Sequence, residues 1–111
     1  MRKIQFQDAF VLARIIKKAD VKEILIRANT TLKQGNVNKE DVFLDVLFSV
    51  LAGAADENVE NEIYELLGGV AEKGVDDIKS LEMDELIVLV KKIAKENDLA
   101  NFFKSAVKLT N

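Results

Sequence analysis

No proline occurs anywhere in this chain of 111 residues, and glycine occurs only five times. Proline breaks a helix because it lacks the backbone N–H, and glycine weakens one through its backbone entropy. Apolar residues recur at steps of three and four nearly throughout, and no segment shows a convincing strand-like alternation. These features predict an all-α protein.

The chain is short enough for one domain, which we expect to span residues 1–111 as a bundle of five or six short helices. The first helix is predicted over about residues 7–19. Its apolar rows place Phe6 and Phe10 in one line and Ala9 and Leu12 in the next. Asp20 is predicted to be the N-cap of the second helix, because aspartate accepts hydrogen bonds from free helix N–H groups.

The segment "VFLDVLFSVLAGAA" is apolar on almost every side. Its polar side chains, Asp45 and Ser49, continue a narrow line that starts at Asp41. A helix of this kind must be covered on most sides. We therefore predict a central apolar helix over about residues 39–54, with small residues at 52–55 that favour a close helix crossing or the end of the helix.

The residue types argue against an enzyme. Histidine and cysteine are absent, which removes the commonest general base, the commonest metal ligand and all thiol chemistry. No glycine-rich phosphate-binding loop occurs. Carboxylates cluster at predicted helix starts, where the helix dipole accounts for them. We expect no catalytic residue, no metal and no cofactor.

Charge and hydropathy limit the partners. The formal net charge is −3 and the pI is about 5.0, which opposes binding to nucleic acid. No apolar run approaches the roughly 20 residues that cross a membrane. The N-terminal segment does not have the pattern of a signal peptide. The sequence thus predicts a cytoplasmic protein that binds neither membrane nor nucleic acid.

The stretch "KSLEMDELIVLV" resembles the Asp-Ser-Leu segment of acyl carrier proteins, in which the serine carries phosphopantetheine. Here Lys79 stands in place of the aspartate that precedes the serine. Lysines at 91, 92 and 95 also occupy the face that is acidic in such carriers. Ser80 is therefore interpreted as a residue at a helix start.

The predicted helices carry more apolar residues than one buried stripe per helix requires. Such a surplus forms either additional core or an exposed patch, and exposed patches usually mark a protein partner. We favour an interaction surface. The residues outside the main rows are Val11, Ile15, Ile26, Phe43, Leu44, Phe48, Ile87 and Val88.

Three segments in order resemble the tail assembly chaperones of long-tailed phages and prophages of Gram-positive bacteria. They are "FQDAFVLARIIKKADVKEIL", "NKEDVFLDVLFSVLAGAADENVENEIYELLGGV" and "VDDIKSLEMDELIVLVKKIAKENDLANFFKSAVKL". The order and lengths of these segments, together with the ending "ENDLANFFKSA", give the resemblance its specificity, and it spans nearly all of residues 4–109. Val75 departs from the threonine or serine helix cap that is frequent in this family.

The resemblance implies a non-enzymatic protein that keeps the helical tape measure protein soluble during tail assembly. It further implies the major tail protein as a second partner, self-association into a homo-oligomer, and absence from the mature virion. We predict that the outward residues Ile87 and Val88, together with Phe102, Phe103 and Val107 of the last helix, lie at the contact surface or support it.

An alternative is a small phage-encoded regulatory or DNA-binding protein with a helix-turn-helix formed by the first two helices. Arg14, Lys17 and Lys22 are among the basic residues of this region. The net negative charge weighs against this alternative, because phosphate contacts dominate binding to DNA.

Overall fold

The structure is a computed structural model that describes residues 1–53 and 57–111. This part of the chain contains no strand, which confirms the all-α class. It forms one helix more than the largest predicted number, because Val75–Lys79 forms a helix of its own. The described helices are α1 (Phe6–Ala19), α2 (Lys22–Gln34), α3 (Lys39–Gly53), α4 (Glu57–Ala71), α5 (Val75–Lys79), α6 (Met83–Glu96) and α7 (Leu99–Leu109).

Six of these helices form a closed ring. Its order is α1, α7, α2, α3, α6 and α4, and α4 packs against α1 again; each helix has its main contacts with two neighbours. The short helix α5 packs on α4. Side chains from the inner sides of the helices form one continuous core. Such a ring buries one side of each helix and leaves the opposite side to solvent.

The prediction of a central apolar helix is therefore wrong. Helix α3 does form, but it is a member of the ring between α2 and α6. It buries Phe43, Leu47 and Val50, while Asp45 and Phe48 remain exposed on its outer side. The predicted end at residue 54 and the small residues at 54 and 55 lie outside the described residues.

The two adjacent phenylalanines of α7 lie in the protein's own core. Phe103 is 1% exposed, and its ring centroid lies 6.1 Å from that of Phe43 and 6.0 Å from that of Phe102. These rings meet Leu12 of α1 and Leu67 of α4 around a small cavity of about 30 Å³ that apolar side chains line. Helix α7 therefore contributes two buried aromatic rings to the centre of the core.

One corner differs from its prediction. Asp20 does not cap α2; it ends α1 in the left-handed conformation at φ 54°, and its N–H donates to the Ile16 carbonyl. Aspartate is one of the few residues that adopt this conformation readily. Helix α4 runs through Gly68, where a Cβ would lie 2.6 Å from the Lys73 carbonyl oxygen. This glycine allows the chain after α4 to fold back closely.

The burial of Phe103 predicts a large loss of stability on truncation. Phe103→Ala is expected to lower the free energy of unfolding by about 3–5 kcal/mol, because the change removes a buried ring and leaves a cavity. Phe6→Ala is the matched control, since Phe6 is 67% exposed; its loss is expected to stay within about 0.5 kcal/mol. Urea unfolding followed by circular dichroism measures both. Equal losses would contradict the assignment of Phe103 to the core.

Candidate partner-binding surface

The structure separates the five residues predicted for the contact surface. Phe102 and Phe103 are buried, and Val107 is half-buried against the core. Val88 is 66% exposed, and Ile87 is half-buried on the same helix but is not in the core cluster of the described residues. Val88 is therefore the most accessible of the five, Ile87 and Val107 are partly accessible, and Phe102 and Phe103 can only support a contact from within.

The apolar residues outside the main rows also differ in burial. Some complete the core and others remain outside it, as expected for helices that each contact two neighbours. Ile15 and Phe43 are buried, whereas Val11, Leu44 and Ile87 are half-buried and Ile26, Phe48 and Val88 are exposed.

We name the accessible apolar residues Met83, Ile87 and Val88 the α6 surface; Met83 and Val88 are exposed, and Ile87 is half-buried. Met83 is 61% exposed and lies one turn before Ile87. Val88 lies in an open groove of about 380 Å³ that apolar and charged side chains line in equal number: Leu81, Val88, Leu89, Lys73, Asp84 and Glu85. The opposite side of α6 is fixed in the core by its buried residues Val90, Ile93 and Ala94.

Charge is distributed unevenly around the α6 surface. Asp84 and Glu85 lie in the first turn of α6, and the Glu85 carboxylate accepts a hydrogen bond of 3.1 Å from the Glu82 N–H. Lys92 and Lys95 are exposed toward the other end of the helix. This arrangement suits the helix dipole and flanks the apolar residues with opposite charges.

A second exposed apolar feature lies on α1, where Phe6 is 67% and Phe10 is 45% exposed. Their rings contact each other edge to face, with centroids 5.0 Å apart and planes at 78°. A groove of about 230 Å³ beside Phe6 contains Phe102 and Ser105 of α7 in its lining. Phe102 thus supports this surface from below although it is itself buried.

Sequence reasoning assigned Phe6 and Phe10 to the apolar face of α1 and did not recognise them as exposed. The sequence does contain an indication that these phenylalanines are exposed. The helical row through Phe6 and Phe10 continues to Lys17, a charged residue that is expected to face solvent. The neighbouring row holds the small residues Ala9 and Ala13, on the helix that packs against α7 and α4. That row is buried, so the aromatic row faces solvent.

The segment before α1 holds the start of this helix in place. The Arg2 guanidinium donates two hydrogen bonds of 2.7 and 2.8 Å to the Asp8 carboxylate, which is 3% exposed. The Arg2 N–H donates to the Val70 carbonyl of α4, and the Ile4 N–H donates to the Asn97 side chain. These bonds connect α1, α4 and the α6–α7 corner.

Opposing influences act on the Asp8 carboxyl. Burial is the strongest and raises the pKa of Asp8, but hydrogen bonds from Arg2 and from the Gln5 N–H, together with the Arg2 charge, outweigh it. The pKa of Asp8 therefore lies below its ordinary value. The Asp8 carboxylate is therefore ionised at neutral pH and cannot act as an acid there. Its hydrogen bonds from Arg2 and the Gln5 N–H give it a structural role, and we call this group of contacts the anchor.

Tyr64 is a further described residue whose pKa is shifted, besides Arg2 and Asp8. A hydrogen bond to Glu60, with partial burial, raises the pKa of Tyr64, so its phenol stays protonated at neutral pH. Within residues 1–53 and 57–111, no group of three or more carboxylates is placed to hold a metal ion. No helix in the same part is long and apolar enough to cross a membrane.

No protein-family model matches the chain, and neither a curated protein nor a solved structure matches it significantly.

The anchor predicts a loss of stability in acid. Because folding lowers the pKa of Asp8, its contribution is complete above the ordinary carboxyl value of about 4 and is lost as the pH falls through the lower folded value. Asp8→Asn is expected to cost about 2–3 kcal/mol at pH 7, because it removes a charged partner of Arg2. The difference in unfolding free energy between Asp8→Asn and the wild type should become smaller as the pH approaches 3.

Urea unfolding at pH 7, 4 and 3 measures this dependence. The matched control is Asp45→Asn, because Asp45 is exposed and has no ion pair among the described residues. An Asp8→Asn variant with wild-type stability at pH 7 would show that the ion pair is not an anchor.

Proposed function

We propose that the protein is a non-enzymatic tail assembly chaperone of a long-tailed phage or prophage that binds the tape measure protein. The observation that carries this proposal is the α6 surface, where Met83 and Val88 are each more than 60% exposed on a helix fixed by a continuous core. An apolar patch that is exposed on a protein surface can mark the binding site of a protein partner. The resemblance of the sequence to this family supports the choice of partner.

A tape measure protein is a long amphipathic helix, which is poorly soluble alone. An apolar strip with an adjacent groove suits such a partner, because the apolar face of a helix can lie along it. The carboxylates of Asp84 and Glu85 at one end and the lysines at the other provide a polar rim. Such a rim favours one orientation of the bound helix more than it increases affinity.

Release of the tape measure protein requires weak binding by each copy. Burial of the two or three side chains of the α6 surface contributes about 1.5–3 kcal/mol each, before the cost of association is subtracted. Many copies along one rod provide the avidity that a single copy lacks. We therefore propose a homo-oligomer that acts in the host cytoplasm, engages the major tail protein as a second partner, and is absent from the mature virion.

Loss of apolar contact at α6 is expected to weaken this binding. Ile87→Ser combined with Val88→Ser should raise the dissociation constant for a purified tape measure segment at least tenfold, since a factor of ten corresponds to about 1.4 kcal/mol. The fold should remain intact, because both residues lie outside the core cluster. Isothermal titration calorimetry measures the binding, and circular dichroism monitors the fold.

Val37→Ser is the matched control, because Val37 is 41% exposed and lies between α2 and α3. It should bind like the wild type. Equal binding by the double variant would exclude the α6 surface as the contact. A wild-type protein that neither binds the segment nor keeps it soluble would refute the proposed function.

A further inference from the structure

Helix α1 presents a second stripe to solvent that the proposed function does not use. Phe6, Phe10, Arg14 and Lys17 are all exposed and follow one another at steps of four, four and three. The stripe is thus aromatic at its start and cationic at its end. Arg14 lies 3.8 Å from Glu62, but Lys18 already binds that carboxylate oxygen at 2.7 Å, which leaves the Arg14 charge available.

Helix α3 presents a stripe with the opposite order. Asp41, Asp45, Phe48 and Ala52 are all exposed at steps of four, three and four. This stripe is anionic at its start and apolar at its end. Among the described residues, neither aspartate forms an ion pair. The small side chain of Ala52 allows another helix to approach closely.

We infer that the α1 stripe of one copy docks antiparallel on the α3 stripe of a second copy. In that orientation Phe10 meets Phe48, and Phe6 lies over Ala52. At the other end, Lys17 meets Asp41. Both apolar residues and both charges therefore find partners in the same register, with Arg14 next to Asp45.

Such a match is specific to one orientation. A parallel pairing places the phenylalanines of α1 on the aspartates of α3 and leaves the cations against Phe48. An α1–α1 pairing in parallel brings Arg14 and Lys17 against their own copies, which like charges oppose. The charge pattern thus favours a contact between two different surfaces over a symmetric one.

The two stripes lie on opposite sides of the molecule. In the ring of helices, α1 and α3 are three positions apart in either direction. A contact between different surfaces on opposite sides cannot close into a dimer, so it continues into a chain or a larger ring. The α6 surface lies on the helix next to α3 in the ring and shares no residue with either stripe.

This inference rests on the self-association in the proposed function and names the surfaces that produce it. A contact between two helices of this length is small, so the association is expected to be concentration-dependent. Opposite charges meet in it, so the association should also weaken as the salt concentration rises.

Charge reversal on one stripe at a time tests the inference without any tape measure protein. One variant carries Arg14→Glu and Lys17→Glu, and the other carries Asp41→Lys and Asp45→Lys. All four residues are exposed, so both variants are expected to keep the wild-type circular dichroism spectrum. Sedimentation equilibrium then gives the mass of each variant and of their mixture.

The wild-type protein is expected to exceed the single-chain mass of 12.4 kDa increasingly with concentration. Each variant alone should remain at that mass, because its two stripes now have the same sign of charge. An equimolar mixture should associate again, since each variant offers the surface that the other lacks. Lys104→Glu with Lys108→Glu on α7 is the matched control and should behave like the wild type.

Three results would overturn the inference. The first is a wild-type mass of one chain at every concentration and low salt. The second is normal association by either single-stripe variant, which would indicate a symmetric contact or another surface. The third is a mixture that stays at the single-chain mass. Binding of the tape measure segment to the α6 surface is measured in a separate experiment, so none of these three results decides the proposed function.

Discussion

The closed ring of six helices determines which residues of this protein are exposed. Each helix has two neighbours and one inner side, so it can bury only part of its circumference within the molecule. Phe103 occupies the common interior, where it contacts Phe43 from the opposite part of the chain. Any apolar residue beyond the inner and flanking positions must face solvent or another protein.

The N-terminal segment determines where one of these outer surfaces lies. Asp8 is buried at the start of α1, and Arg2 holds it while also donating its N–H to α4. A buried carboxylate without this partner would destabilise the fold, so the start of α1 is held in one position. Phe6 and Phe10 are consequently presented on a fixed backbone, which lowers the entropic cost of any contact that they make.

Sequence reasoning predicted the helices because their signal is local, with apolar residues that recur at the helical period. It did not predict which of two adjacent apolar rows on α1 faces inward, since that choice depends on how α7 and α4 pack against α1. The row of Ala9 and Ala13 is buried there, and Phe10 is exposed. The same limit applies to Asp20, which suits an N-cap and a left-handed corner equally well, and here the tight reversal between two helices decides.

The incorrect prediction of a central α3 has the same cause, because the sequence does not show which neighbouring helix covers an apolar side. An apolar surface all round a helix shows that most sides are covered, but it does not distinguish the protein's own helices from those of another chain. The inner side of α3 meets the core at Phe43 and Leu47, and its outer side exposes Phe48 beside Asp45. The aspartates prevent this outer side from joining the core of its own chain. Their charge is opposite to that of Arg14 and Lys17 on α1, and this complementarity is the reason for the antiparallel orientation that we propose for a second copy.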